Sequence, residues 1–360
     1  MPDENAQNAQ VRAALAKVVD PTTGRDVVAS GLLAAVTIEA GVARVVYRLP
    51  PQLATAPVQR SLIEQTVDLT RRVAAMEARV EFQVVAAPGA QALPGVKHVV
   101  AIGAGKGGVG KSTVAALLAA GVMRRGQRAG LLDADVYGPS IPKITGTEDA
   151  QPQTDEAGRL IPPEKDGLPI MSMGYLVPAD QAVIWRGPMA QKYVKEFLDR
   201  GHWGELDYLF VDLPPGTGDI PLTLAQSIPL TGAVVVCTPQ DVALLDAVKA
   251  VRMYQKLGVA PLGLIENMSY YICPHCGQRE EIFDHGGCER AARELGVAFL
   301  GAIPLNIAIR RNGDSGQLFE NYTRGPKEVT QALEAVIDRL LESVQQRDQA
   351  APPPPQLTIR

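Results

Sequence analysis

The sequence predicts an α/β protein with a mainly parallel sheet flanked by helices, preceded by a small α+β domain. Three observations lead there. Apolar runs recur through the longer, C-terminal part of the chain with helical segments between them, the pattern of a sheet covered on both faces. Ala86 to Gly95, with two prolines and two glycines, separates that part from a shorter one with a different pattern. The glycine-rich string GKGGVGKS at Gly105 to Ser112 lies between an apolar strand and a helical run.

The expected elements follow in chain order. Val11, Leu15, Val18 and Val19 have helical spacing within residues 7 to 18, and Asp20-Pro21 breaks that helix. Leu32 to Glu39 and Ala43 to Leu49 read as strands around the Ala40-Gly41 turn, followed by a helix from Val58 to Ala78 and a strand from Val80 to Val85. Beyond the linker, strands are expected at His98 to Ala104, Ala129 to Leu132, Tyr208 to Leu213, Ala233 to Thr238, Pro261 to Ile265 and Val297 to Ile303. A helix from about Glu328 to Gln345 closes the domain, and Ala350 to Gln356 is a proline-rich extended tail. The expected organisation is therefore a small domain over 1–85, a linker over 86–95, a nucleotide-binding domain over 96–346 and a tail over 347–360.

Composition narrows the function classes. A chain of 360 residues, 46% hydrophobic, has the length for two folded units and the apolar surface for real cores. The longest apolar candidate, Val114 to Met123, stops at Arg124-Arg125, short of the roughly eighteen residues of a membrane helix. Met1 to Gln10 is polar and acidic, unlike a secretory signal, which sets the expectation of a cytoplasmic protein. A formal charge of −4 gives no general attraction to polyanions, so neither nucleic acid nor membrane is an expected partner. In such a compartment Cys237, Cys273, Cys276 and Cys288 point to metal or redox chemistry before structural disulfides.

Gly105 to Ser112 satisfies the Gly-x-x-x-x-Gly-Lys-Ser/Thr pattern of a P-loop NTPase, with Thr113 opening the helix behind it. Gly105, Gly107, Gly108, Val109 and Gly110 are placed to turn backbone N–H groups toward ATP phosphates. Lys111 is expected at the β- and γ-phosphates and Ser112 on Mg2+. Asp133 and Asp135 in LLDADVYGPS and Asp212 in LFVDLPPGTGD fall at strand ends, where open α/β sheets bind ligands. Asp212 suits the Mg2+-holding position, Asp133 its support and Asp135 the orientation of attacking water, while Asp219 reads equally as a helix cap.

A second lysine, Lys106, follows the first glycine, and an ordinary P-loop has no need of it. In this feature the loop resembles the deviant Walker A loop of the MinD/Mrp class of dimeric ATPases. With DADVYGPSIP, IWRGPM at Ile184 to Met189, DLPPGTGD, ENMSYYICPHCG at Glu266 to Gly277 and GAIPL at Gly301 to Leu305, the chain resembles an Mrp-type iron–sulfur cluster carrier ATPase. The resemblance implies a homodimer in which Lys106 reaches the partner's nucleotide, Asn267 hydrogen-bonds adenine and Pro304 flanks the base. Asn267 also suits a plain turn. VVDPTTGRDVVASGL at Val18 to Leu32 is similar to the small domain of iron–sulfur assembly factors. A cysteine commonly follows the second strand there, and Leu49 to Gln59 contains none.

Cys273-Pro274-His275-Cys276-Gly277 is a turn that brings two thiolates onto one metal. A [4Fe–4S] cluster usually takes four cysteines, and the resemblance implies that a second chain supplies the other two. Apo iron–sulfur proteins and assembly factors would then be the partners. The alternative is a structural zinc site within one chain, from Cys273, Cys276, His285 and Cys288 in C-x2-C-x8-H-x2-C order. It would accompany a positioning or partitioning ATPase, although the acidic Glu328, Glu334, Asp338 and Glu342 of the last helix do not suit membrane or DNA. An electron-transfer ATPase resembling the nitrogenase reductase also bridges a cluster, but with cysteines far apart in sequence. Cys237, inside an apolar run, is expected to be a buried, inert thiol.

Overall fold

The computed structural model describes residues 11–350 apart from 21–23, 25, 40, 50–55, 75, 85–92, 177–186 and 285. Most of the expected linker, residues 177–186 with the first part of IWRGPM, His285 and the tail beyond 350 lie outside the described residues. Contacts divide the chain into two compact units, one of residues 89–347 and the other of the residues outside that range.

In the N-terminal unit residues 11–15 are helical. Strand β1 (Leu33–Glu39) pairs antiparallel with β2 (Val42–Leu49), and helix α1 (Ala56–Ala74) returns the chain so that β3 (Glu77–Val84) pairs parallel with β2. The expected helix ran to Ala78. It stops at Ala74 because the β3 ladder already claims Glu77 opposite Val42 and Ala78 opposite Ala43. Val11, Leu15, Val45, Tyr47 and Leu62 form the buried centre, where the Tyr47 hydroxyl meets the Thr66 hydroxyl at 2.6 Å.

The larger unit is built on eight strands: β4 (Val96–Ala104), β5 (Ala129–Asp133), β6 (Glu164–Lys165), β7 (Leu168–Ser172), β8 (Leu206–Asp212), β9 (Gly232–Cys237), β10 (Pro261–Glu266) and β11 (Phe299–Ala302). Their spatial order is β11-β10-β9-β4-β8-β5-β7-β6, parallel throughout except for the antiparallel β6–β7 edge. Sequence patterning had not indicated β6 and β7, which are short and interrupted by the Asp166-Gly167 turn. Every residue of β5, β8 and β9 is buried, as helices on both faces require. Alternation along β8 sends Tyr208 and Phe210 into one core, with α2 (Lys111–Arg124) and the closing helix Lys327–Ala350, and Leu209 and Val211 into the other. That closing helix extends through residues 347–350, which were expected in the tail.

Winding reverses at β4: the chain first proceeds outward to β5 and β7, inserts β8 between β4 and β5, and then builds β9, β10 and β11 on the other side. The carboxyl ends around β4 are thus the place where such a sheet opens a crevice. Register sets Asp212 directly beside Asp133, and the strand-end loops of β4, β5 and β8 converge there.

At the opposite end of the same strands, Asp207 accepts from Lys97 Nζ at 2.6 Å and from the Arg128 backbone N–H at 2.8 Å, joining the starts of β4, β5 and β8. The hydrogen bond from Lys97, followed by those from Arg128, holds this carboxyl well below its ordinary value of 3.8. A depressed carboxylate contributes stability that is present above the unfolded-state pKa and lost as pH falls through the folded one. We expect Asp207→Asn to lower the thermal midpoint at pH 7, with the gap from the parent narrowing steadily below about pH 4. Melting curves recorded from pH 7 to pH 3 check this, and a constant gap would show that charge plays no part.

Candidate functional site

The loop between β4 and α2 is shaped by what surrounds it. Gly105 lies so close to the backbone of Asp246, in the helix Asp241–Lys256, that a Cβ there would overlap the Asp246 carbonyl. Gly110, just before α2, has φ +80°, and a Cβ on it would strike the Asn267 side-chain amide. Lys111 and Ser112 are the first two residues of α2, so the helix N-terminus faces the loop's interior. Lys106, Gly107, Gly108, Gly110, Ser112 and Asp135 are among the residues that line a cavity of ≈ 250 Å³ here.

Lys111 is 6% exposed and its ammonium sits at the centre of a buried charge cluster. Nζ donates to Asp212 Oδ1 at 2.7 Å, to Asp135 Oδ2 at 3.2 Å and to the Ser112 hydroxyl at 3.4 Å. Burial opposes the charged form, but Asp212 and then Asp135 outweigh it and the lysine pKa is raised. The Asp212 carboxyl is pushed up by burial, against the pull of Lys111 and Ser112. Its Oδ2 is buried with no hydrogen-bond partner.

Asp133 differs from its neighbours. Oδ1 accepts the Asp135 N–H at 3.1 Å, and Oδ2 accepts the Ile141 N–H at 3.2 Å and the Ser172 hydroxyl at 2.9 Å. Burial, with Asp212 nearby, raises its pKa to about 8. Both oxygens serve protein donors, so Asp133 ties the Asp135 loop to the Ile141 N–H and to Ser172. Ser172, which completes this arrangement, was missed because β7 was missed. The rule that strand ends carry ligand-facing residues would have found it once that strand was known.

A second cavity of ≈ 210 Å³ shares Gly110 and Thr113 with the loop and is lined further by Asn267, Met268, Pro304 and Leu305. Asn267 donates its side-chain N–H to the Val109 carbonyl at 2.8 Å, which leaves its amide oxygen as an acceptor. Asn267 and Pro304 therefore come together beside the phosphate loop. Ile144, Ile309 and Arg310 also border this cavity, and nothing in their sequence context had singled them out. Asp219 falls in the first turn of the helix Asp219–Ser227, where a carboxylate suits the helix dipole.

Past Asn267 the chain forms a small antiparallel ladder, Tyr271–Ile272 against Arg279–Glu280, with the cysteine turn at its tip. Gly277, at φ +72°, donates its N–H to the Cys273 carbonyl at 2.8 Å. Cys276 is exposed and Cys273 half-buried. Backbone N–H groups of His275 and Cys276 hold the Cys273 thiol below its ordinary pKa, which favours the metal-binding thiolate. Cys288 does not join them: it is fully buried in the core with its Sγ 3.0 Å from that of Cys237. Among the described residues no three His, Cys, Asp or Glu side chains are grouped to hold a metal ion. The single-chain zinc arrangement therefore loses Cys288, while His285 lies outside the described residues.

Fold, loop and strand-end carboxylates together define a P-loop NTPase. The chain belongs to the NUBPL iron-transfer P-loop NTPase family, whose model matches residues 95–341. A second model, of an iron–sulfur cluster assembly protein, matches residues 8–75. The chain is 45% identical over 306 residues to an iron–sulfur cluster carrier protein of Deinococcus radiodurans, covering 84% of this chain and 86% of that one. It is 50% identical over 222 residues to an iron–sulfur cluster carrier protein of Escherichia coli, covering 62% of this chain and 60% of the relative. A nucleotide-binding protein from Archaeoglobus fulgidus, solved in complex with ADP, superposes with a TM-score of 0.58 at 39% identity over 63% of this chain and 90% of that one.

Because a methyl group at Gly105 has nowhere to go but into the Asp246 carbonyl, Gly105→Ala should displace the phosphate loop and leave the cores intact. We expect ATP affinity to fall by at least about tenfold, roughly 1.4 kcal/mol, with little change in far-UV circular dichroism. Isothermal titration with ATP reads the affinity, and unchanged binding would show that the loop's path is not needed.

Proposed function

We propose that this protein is an ATP-hydrolysing iron–sulfur cluster carrier that acts in the cytoplasm as a homodimer and delivers a [4Fe–4S] cluster to apo iron–sulfur proteins. The observation that carries this reading is the joint occurrence, in one unit, of the phosphate loop and a two-thiol turn, one thiol exposed and one half-buried, that follows Asn267 beyond the end of β10. Two thiolates are half of a four-cysteine cluster site, so a second copy supplies the remainder. Tyr137, Val242 and Leu245 support a covered face: they are 66%, 65% and 64% exposed and belong to segments bordering the loop.

Phosphates entering the loop compete with Asp212 and Asp135 for the Lys111 ammonium. Ser112 and Asp212 would hold Mg2+, and the partnerless buried Asp212 Oδ2 fits that task. Bound there, the ion supplies charge neutralisation at the β- and γ-phosphates. Asn267 presents its free amide oxygen to the adenine amino group, with Pro304 beside the base. Asp135, held by Asp133, orients water whose oxygen bonds to the γ-phosphorus as the bond to the β–γ bridging oxygen breaks. Lys106 lines the phosphate cavity and has no ion-pair partner among the described residues, which suits a lysine that completes the site of the neighbouring subunit.

Lys111→Ala should lower ATP turnover by about a hundredfold or more, since neither Mg2+ nor the partner's Lys106 replaces the buried ammonium that enters the loop from the start of α2. Lys106→Ala should do the same with less effect on binding. Mixing excess Lys111→Ala chains with Lys106→Ala chains should restore activity in mixed dimers, where one site holds both lysines. Absence of recovery, with subunit exchange shown by mass photometry of tagged chains, would refute catalysis across the interface.

Anaerobic reconstitution should load about four iron and four sulfide per two chains. Cys273→Ala or Cys276→Ala should abolish loading and transfer to an apoprotein while leaving ATP binding near the parent value. Iron analysis and visible absorption read the outcome, and a Cys273→Ala chain that keeps its cluster would overturn the ligand assignment.

A further inference from the structure

We infer that Cys237 and Cys288 form a buried dithiol that small disulfides of the glutathione class convert to an intramolecular disulfide, a modification site separate from the Cys273–Cys276 turn. Cys237 closes strand β9 and Cys288 is the second residue of the helix Gly287–Leu295, 51 residues later. Their sulfur atoms are 3.0 Å apart, and the two residues are only 1% and 0% exposed. A disulfide needs about 2.05 Å between sulfurs, so the bond forms with a further approach of only about an ångström.

The surroundings favour this pairing over other chemistry. The Cys237 Sγ has the Ile265 carbonyl as its only other polar neighbour in hydrogen-bond range among the described residues, at 3.7 Å. Glu266 is committed nearby, accepting the Cys288 backbone N–H at 3.1 Å on Oε2 and the Ser269 hydroxyl at 2.5 Å on Oε1. Contact with Cys237 and burial push the Cys288 thiol up, so it rests protonated and becomes nucleophilic only when this neck opens. Gly286, at φ +74° with open space around it, is the backbone joint at this helix start where a local opening would turn.

The exchange balances without another reagent. One thiolate attacks a sulfur of the small disulfide and expels one small thiolate, giving a mixed disulfide. The second protein thiolate then attacks the protein sulfur of that bond and expels the other. Overall, the two cysteine thiols lose two electrons and two protons, and the small disulfide becomes two thiols. With a resolving sulfur already in contact, the second step outruns accumulation of the mixed disulfide. The bond would fix one stem of the Ser269–Gly287 excursion to the strand whose Cys237 carbonyl holds the Asn267 N–H at 2.8 Å. Nothing in this inference depends on whether the Cys273–Cys276 turn carries a cluster.

The test uses the full chain with Cys273→Ser and Cys276→Ser, so that only this pair remains. Reduced protein is equilibrated without oxygen in glutathione mixtures from fully reduced to fully oxidised, quenched in acid, alkylated in denaturant and weighed intact and as peptides. The expected product lacks two hydrogens, shows a linked Cys237–Cys288 peptide and returns to the dithiol on reduction, with no lasting glutathione adduct. Adding Cys288→Ser should slow net modification of Cys237 by at least about tenfold, because the mixed disulfide then reverts instead of being resolved. Peptide mapping of the unsubstituted chain in the same mixtures guards against a misfolded variant, since the Cys237–Cys288 and Cys273–Cys276 links differ in mass. Two free thiols in fully oxidised glutathione, in protein still folded by circular dichroism, would overturn the inference. So would a stable adduct on one cysteine.

Discussion

An ammonium group with only a few per cent of its surface in water is tolerable only if charge of the opposite sign faces it, and in this protein Lys111 imposes that condition. Its partners cannot come from neighbouring residues on α2. They come from the ends of β8 and of β5, as Asp212 and as Asp135 two residues past Asp133. The sheet order therefore matters chemically: β8 inserted between β4 and β5 brings these carboxylates under the loop that β4 starts. The cluster has one positive group and three buried aspartates, and burial raises the Asp133 pKa to about 8. A site so arranged holds surplus acceptor capacity at Asp212 Oδ2, and a bound cation would offset the excess of negative groups.

Glu266 organises the other end of the site in a comparable way. It ends β10, is buried, and spends one oxygen on Ser269 and the other on the Cys288 backbone. Those two residues stand at the two stems of the excursion that carries Cys273 and Cys276. One carboxylate thus closes the neck from which the thiol turn projects, and the turn itself needs only its short ladder and the Gly277 bend. This division explains how the turn is held in place with Cys276 exposed and Cys273 only half-buried. Removing either oxygen's partner would leave a buried acceptor unmet, a cost of roughly 1–3 kcal/mol.

What was legible in the sequence follows from range. The phosphate loop is a local device, with glycines, lysine, serine and flanking apolar runs all within some twenty residues, so motif and context identify it together. Buried parallel strands such as β8 and β9 announce themselves as continuous apolar runs for the same reason. β6 and β7 do not, since they are short edge elements whose strand character comes from pairing with β5 and with each other. The end of α1 was misplaced because Glu77 and Ala78 suit a helix locally and are claimed by β2 across the sheet. Asp133 could be marked as a strand-end carboxylate, but its role depends on Ser172, thirty-nine residues away. The contact between Cys237 and Cys288 is of this kind too: C-x2-C-x8-H-x2-C spacing suggests one partnership for Cys288, and tertiary packing gives it another.

The cavity beside Gly110 and the thiol turn are joined by backbone. The Ile303 N–H donates to Glu266 O at 2.8 Å, the Ser269 N–H to Ile303 O at 2.9 Å and the Leu305 N–H to Tyr270 O at 2.7 Å. These bonds lace the segment 266–271 to 303–305, and both segments line the cavity beside Gly110 through Asn267, Met268, Pro304 and Leu305. Met268 sits at φ +54°, a conformation that a side-chain-bearing residue adopts only under constraint from its surroundings. A group that wedges between Asn267 and Pro304 must therefore move this laced pair as one body or leave it as one body. Ile272 and Cys273 continue directly from it. The cavity lined by Asn267 and Pro304 is thus linked by backbone to the segment that leads into the thiol turn, and the phosphate loop touches the same segment through the contact of Val109 with Asn267.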